Sequence, residues 1–209
     1  MDLFEHDRRF VEGVDRVMEG ARRASGERWA CGPGRVDCCL GPFPINLLDA
    51  RRLSRGLAEM AAAEPARAAA IEARARGAVA RMRAGFSGDA ERGILADDDT
   101  AQDAFFERHG DLPCPALDPT TGRCEVYAFR PWTCRTFGPP IRSGDELLPP
   151  CPHCFAPCSR EQEDALRVTP DPDGLEATLL DALERHERLC GETIVAWALL
   201  GLPGTADGG

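Results

Sequence analysis

Apolar residues recur at helical spacing at both ends of the chain. Phe10 and Val14 are separated by charged residues and predict an amphipathic helix over residues 2–24. The leucines of residues 175–189 repeat in the same way, and the apolar run of residues 192–200 predicts a last helix. These helices are expected to supply apolar faces for a core.

The middle of the chain contains three further helical segments. Asn46 is expected to cap the first, with Asp49 three residues later as an acidic variant of the capping box. Pro65 stands at the expected first position of the second, which continues through the Ala- and Arg-rich residues 66–86. The apolar stripe of this second helix is thin, so we expect one of its sides to be solvated. Residues 100–109 predict a third, shorter helix.

Glycine, proline and cysteine dominate the segments between the helices. Residues 29–45 and 139–158 have no helical or strand period and are predicted to be loops. The predicted fold class is therefore mainly α, with helices packed around an irregular Cys-rich metal-binding centre and one small β-hairpin allowed near Cys124. We expect a single domain over residues 1–209. Its parts are the cysteine-cluster region 29–158, the C-terminal helices 159–202 and a frayed tail 203–209.

Charge narrows the range of partners. The 209 residues carry a net charge of -10, which disfavours nucleic acid and anionic membrane surfaces as partners. All 25 basic residues are arginine, because the sequence contains no lysine. Schiff-base chemistry and a phosphate-binding P-loop lysine are therefore excluded.

Ten cysteines are the main chemical feature of the sequence. The N-terminal segment lacks the apolar stretch of a secretory signal, and no apolar run is long enough to span a membrane. We therefore expect a cytoplasmic protein whose thiols stay reduced. Clustered reduced thiols point to metal or redox chemistry, and we expect a metal ion as the partner.

Nine of the cysteines fall into three groups. The groups are Cys31, Cys38 and Cys39; Cys114, Cys124 and Cys134; and Cys151, Cys154 and Cys158. Thiolates from loops are the usual ligands of zinc and of iron–sulfur clusters. The first two groups together supply more thiolates than one tetrahedral zinc needs, so a polynuclear site stays open. Adjacent cysteines usually point in different directions, so they serve either two metals or one metal and a packing contact.

The third cysteine group leaves further alternatives. A Cys-x-x-Cys spacing such as that of Cys151 and Cys154 allows both sulfurs to reach one metal. His153 is either an additional ligand or an ordinary loop residue. Cys190 follows an apolar helix and is expected to be a core thiol.

Arg130 and Arg135 lie on either side of Cys134. Several thiolates on a divalent ion leave a net negative charge, which nearby guanidinium groups would offset. We therefore assign both arginines to the surroundings of the bound metal. Ordinary surface ion pairs are the alternative role.

The segment CPALDPTTGRCEVYAFRPWTCRTFG resembles the YkgJ-type cysteine-cluster family. The matching residues are Cys38, Cys39, Cys114, Pro115, Leu117, Gly122, Cys124, Tyr127, Arg130, Pro131, Cys134 and Arg135. The resemblance covers about residues 29–158 and implies a domain that chelates zinc or iron. This chain departs from the family in the first group, where the family has two spaced cysteines before the pair and this sequence has only Cys31.

Three functions fit these observations. The first is a protein that holds zinc or iron through clustered cysteines, as a single ion, a polynuclear site or an iron–sulfur cluster. The second is an iron-dependent or iron–sulfur enzyme, and the third is a metal-stapled interaction module. The candidates for a catalytic base are few: His109, His153, Glu125 and Tyr127. The sequence favours metal binding and leaves the enzyme alternative open.

Overall fold

Eight α-helices dominate the part of the chain that this computed structural model describes, which is residues 2–29, 35–155 and 158–202. The helices are α1 (Leu3–Ser25), α2 (Leu47–Ala63), α3 (Pro65–Met82), α4 (Asp99–Arg108), α5 (Trp132–Thr136), α6 (Arg160–Leu166), α7 (Leu175–Glu187) and α8 (Val195–Leu200). The predicted mainly α fold class is confirmed. None of the helices in these described ranges is long and apolar enough to cross a membrane.

Among the described residues, short strands pair into three antiparallel two-stranded sheets. The strands are β1 (Ile45–Asn46), β2 (Gly88–Asp89), β3 (Ile94–Leu95), β4 (Ile141–Ser143), β5 (Glu146–Leu148) and β6 (Glu192–Thr193). β1 pairs with β6, β2 with β3, and β4 with β5. The registers place Ile45 opposite Thr193 and Ile141 opposite Leu148.

The chain forms two compact units. One consists of Met1–Pro33 and Trp132–Leu183 and is called the α1 unit here. The other consists of Gly34–Pro131 and Glu184–Gly209 and is called the α3 unit. The single-domain organisation expected from the sequence stays a prediction.

In the α1 unit, helix α1 begins and ends close to the predicted residues. The Asp2 carboxylate caps it by accepting hydrogen bonds from the backbone N–H groups of Phe4 and Glu5. Gly26 ends it with a positive φ of 54°. Phe10 is buried and stacks on Trp132 of α5, with the ring centroids 5.6 Å apart.

In the α3 unit, helices α2, α3 and α8 pack together. The Asn46 side chain accepts a hydrogen bond from the backbone N–H of Asp49, at 2.9 Å, which confirms the predicted cap of α2. Helix α3 buries a narrow stripe, in which two of the four residues are alanine. The buried residues of α3 are Ala68, Ile71, Ala75 and Met82.

Helix α2 also fixes the segment that follows Cys124. The 3-10 turn Tyr127–Phe129 packs on α2. A Cβ atom built on Gly56 would lie 2.1 Å from Cγ of Phe129. The ring therefore occupies the space that any larger residue at position 56 would need.

Replacing Gly56 with alanine is expected to destabilise the protein. The methyl group would overlap the Phe129 ring, so we expect a loss of about 1–3 kcal/mol in the free energy of unfolding. Urea denaturation followed by circular dichroism measures this change. Gly77→Ala is the matched control, because Gly77 lies in α3 with no atom within 4 Å of the added methyl group. That control should gain up to about 1 kcal/mol from helix propensity, and equal effects of the two substitutions would contradict the packing argument.

Candidate metal centre

Backbone pairing brings Cys39 and Cys114 together in the α3 unit. The N–H of Cys114 donates to the carbonyl of Cys39 at 2.8 Å, and the N–H of Gly41 donates to the carbonyl of Leu112 at 2.8 Å. Leu40 and Pro113 form the antiparallel bridge between these two bonds. Segments that are far apart in the sequence are therefore joined at their cysteines.

Glycine makes this pairing sterically feasible. Gly41 has a φ of 78°, and a Cβ atom there would lie 3.2 Å from Cα of Gly110. A residue with a side chain would be strained in its backbone and crowded against the facing segment. The loop between the Cys38–Cys39 pair and α2 thus turns directly against the segment that leads to Cys114.

A compact turn connects Cys114 with Cys124. Leu117 and Cys124 form an antiparallel bridge, and the N–H of Glu125 donates to the carbonyl of Ala116 at 2.8 Å. The Asp118 carboxylate closes the turn by accepting a hydrogen bond from the N–H of Thr120 at 2.8 Å. The small β-hairpin allowed near Cys124 is reduced to this single bridge, because the chain enters a 3-10 turn at Tyr127.

Four of the five thiols of the α3 unit influence one another electrostatically. Burial raises the pKa of the Cys114 thiol to about 12, and the neighbouring Cys124 contributes to the rise. Burial is also the main cause of the raised pKa of Cys124, to which Cys38 adds electrostatically. A hydrogen bond with Cys39 is the main cause of the raised pKa of Cys38. Cys38, Cys39, Cys114 and Cys124 therefore share one neighbourhood, in which extra negative charge is costly.

Sulfur chemistry fits a bound zinc or iron ion. Both metals bind thiolate sulfur, and a cation would remove the cost of deprotonating these thiols. Cys38 is exposed and the other three thiols are partly buried, so an ion can reach the group from solvent. Within residues 2–29, 35–155 and 158–202, however, no three His, Cys, Asp or Glu side chains converge closely enough to hold a metal ion. Binding would thus require the thiols to close around the ion.

Four other predicted ligands belong to the α1 unit. Cys134 lies in α5, and Cys151 and Cys154 are buried with Phe155 in an apolar cluster against which Cys158 packs. The N–H of Cys154 donates to the carbonyl of Cys151 at 3.0 Å, so the Cys-x-x-Cys segment is a tight turn. These four cysteines stay predicted ligands.

Cys31 and Cys190 are the two remaining cysteines of the sequence. Cys31 lies outside the described residues, and its role as a ligand also stays a prediction. Cys190 was expected in the core, but it is exposed. The reason is that α7 ends at Glu187 and Arg188 turns the chain with a φ of 54°, which places Cys190 in the loop before β6.

The two arginines of the predicted site have different surroundings. Arg130 donates to the carbonyl of Tyr127 at 2.8 Å, and its guanidinium lies 3.9 Å from the centroid of the Tyr127 ring. Its positive charge acts to lower the pKa of the Cys124 thiol, although burial outweighs this effect. Arg135 is buried in the α1 unit and donates to the Asp15 carboxylate of α1 at 2.7 Å. A role for either arginine at a bound metal stays a prediction.

Helix α3 contributes residues that the sequence did not indicate. Arg67 and Arg74, two helical turns apart, both form ion pairs with the carboxylate of Glu125. Arg74 also donates to the carbonyl of Pro115 at 2.9 Å. Helix α3 has the exposed side that was expected, at Ala66, Ala73 and Ala80. Arg67 and Arg74 hold the turn that carries Cys114 and Cys124. Only their shared helix face could have been recognised from the sequence.

A helical fold with four neighbouring thiols defines a class of protein suited to binding a thiophilic metal ion. A family model described as CxxCxxCC, "Putative zinc- or iron-chelating domain", matches residues 30–155, and the chain belongs to this family. The family pattern would place cysteines at positions 32 and 35, where this chain has Gly32 and Arg35. No curated protein and no solved structure matches the chain.

The thiols should differ in reactivity in the metal-free protein. Cys190 is exposed, whereas burial raises the pKa of Cys114 and so lowers its thiolate fraction. We expect iodoacetamide to alkylate Cys190 before Cys114 at mildly alkaline pH, because the thiolate is the reactive form. Peptide mass spectrometry over a time course measures both rates. Faster labelling of Cys114 than of Cys190 would contradict the burial of the Cys114 thiol.

Proposed function

We propose that the protein holds zinc or iron through Cys38, Cys39, Cys114 and Cys124. The observation that carries this proposal is the antiparallel pairing that joins Cys39 to Cys114. Backbone hydrogen bonds alone bring the two cysteine segments together. Membership of a family described as zinc- or iron-chelating supports the same conclusion.

The thiolates would coordinate the metal ion, and metal binding would stabilise the folded protein. The segments that carry the cysteines are turns joined by a few backbone hydrogen bonds, so a metal cross-link between them would add to the stability that buried residues such as Leu112 and Val126 provide. Four thiolates around a divalent ion leave a net negative charge. Arg130 and Arg74 lie close enough to influence the pKa values of Cys124 and Cys114, and they would partly offset that charge.

The proposal does not depend on the remaining predicted ligands, but they allow a larger metal site. An iron–sulfur cluster or a polynuclear site is its alternative form, because the chain has more cysteines than one tetrahedral ion needs. Cys31, Cys134, Cys151, Cys154 and Cys158 are proposed as further ligands of zinc or iron. We also propose the cytoplasm as the location, where reduced thiols persist.

Anaerobic purification followed by elemental analysis and visible spectroscopy tests the proposal. We expect stoichiometric zinc or iron on the intact chain. A colourless zinc protein would support a simple thiolate site, and broad visible absorbance with sulfide would support an iron–sulfur cluster. Failure to retain zinc or iron, both as purified and after anaerobic reconstitution, would overturn the proposal.

Serine substitutions identify the ligands. We expect Cys114→Ser and Cys124→Ser each to lower the affinity for zinc or cobalt by more than about 100-fold. Loss of a residue that only hydrogen-bonds to a ligand typically costs about 10- to 100-fold, and loss of the ligand itself should cost more. Competition with a chromophoric chelator measures the affinity, and the thiolate-to-cobalt absorbance reports how many sulfurs bind. Cys190→Ser is the matched control, because Cys190 is exposed and lies beyond the family match. Equal losses in the control and the two test variants would argue against these ligands.

A further inference from the structure

One guanidinium group connects the two short segments that carry Cys114 and Cys124. Arg74 donates through Nε to the carbonyl oxygen of Pro115 at 2.9 Å, and Pro115 directly follows Cys114. Through its terminal nitrogen it pairs with the carboxylate of Glu125, which directly follows Cys124. The planar guanidinium has donors in a fixed geometry, so both contacts are set by one rigid group.

Glu125 is the acceptor that makes this connection strong. Its side chain is only 11% exposed, and it also accepts from Nε of Arg67 at 2.8 Å. A partly buried carboxylate between two guanidinium groups forms charge-assisted hydrogen bonds, which are stronger than neutral ones. Removing one partner would leave part of a buried negative charge uncompensated.

The contacts of Arg74 with Pro115 and Glu125 place its positive charge beside the segments that carry the two thiols. Its guanidinium contacts the residue that directly follows Cys114 and the residue that directly follows Cys124. A group that fixes two ligand segments and also carries positive charge next to a thiol favours thiolate binding in two ways.

We propose that Arg74 is a positioning residue for the metal site, which ties the segments of Cys114 and Cys124 to each other and so keeps both thiols available to one ion. This inference rests on the proposed function. Arg74 acts through the backbone of Pro115 and the carboxylate of Glu125 and is not itself a ligand.

The chain offers a closely matched control on the same helix. Arg76 is two residues from Arg74 and pairs with Glu72 of α3 itself at 2.7 Å. Its side chain is 64% exposed. Arg76→Met therefore removes the same charge from the same helix while leaving the contacts to Pro115 and Glu125 intact.

The experiment compares metal affinity and stability in the intact chain. For wild type, Arg74→Met and Arg76→Met, zinc affinity is measured by chelator competition, and the cobalt spectrum reports the sulfur geometry. Urea unfolding of each metal-free variant separates positioning from general stability. We expect Arg74→Met to bind zinc about 10- to 100-fold more weakly, with a changed cobalt spectrum. Arg76→Met should match wild type in both.

Two further variants keep the inference testable if Arg74→Met fails to fold. Arg74→Lys retains the charge but cannot make both contacts in the same geometry, so we expect weaker zinc binding with a stable metal-free fold. Glu125→Gln removes the charge of the acceptor and should weaken zinc binding in the same direction. Wild-type affinity and an unchanged cobalt spectrum in these folded variants would overturn the positioning role.

Failure of the proposed function would give a different result. If wild type itself binds neither zinc nor cobalt, the proposed metal site is wrong and the role of Arg74 there falls with it. If wild type binds metal and Arg74→Met binds it equally well, only the positioning role is wrong. If Arg74→Met loses stability in the metal-free state but keeps wild-type affinity, Arg74 is structural and the inference is overturned.

Discussion

The antiparallel contact between residues 39–41 and 112–114 is the constraint on which the cysteine neighbourhood depends. Its two backbone hydrogen bonds join segments that the helices α2, α3 and α4 separate in the sequence. Thiols at neutral pH do not attract one another strongly enough to make such a contact. The proximity of Cys39 and Cys114 is therefore a consequence of the backbone pairing and not of an attraction between the thiols. Gly41 permits the contact because its positive φ and the nearby Gly110 leave no room for a side chain.

Electrostatics gives helix α3 a second role in addition to packing. Its buried stripe, with Ile71 and Ala75 at the centre, holds the helix against α2 and α8. Arg67 and Arg74, off that stripe, compensate Glu125 at the edge of the cysteine turn. In an acidic chain without lysine, all such compensation comes from arginine, whose planar group can hold a carbonyl and a carboxylate at once. The α3 unit therefore combines an apolar core with ion pairs that hold the turn between Cys114 and Cys124.

Local signals predicted the helices well. The start of α1 at Leu3, the cap of α2 by Asn46 and the first position of α3 at Pro65 all follow from residues within a turn of the helix end. Predictions that depended on long-range packing fared less well. Cys190 was placed in the core, but the turn at Arg188 exposes it. Helix α3 has the exposed side that was expected, but the pairing of its arginines with Glu125, a residue of another segment, could not be recognised from helical period alone.

The sequence by itself determined the chemistry of this protein: clustered cysteines, basic side chains that are all arginine, and helices bounded by recognisable caps. These features depend on residue type and on neighbours a few positions away. The tertiary structure alone decided which thiols share a neighbourhood and which arginine braces them. Arg74 and Glu125 are 51 residues apart, and no local pattern links two positions at that separation. Their contact depends on how α3 packs against α2 and α8, because that packing aims one face of α3 at the turn between Cys114 and Cys124.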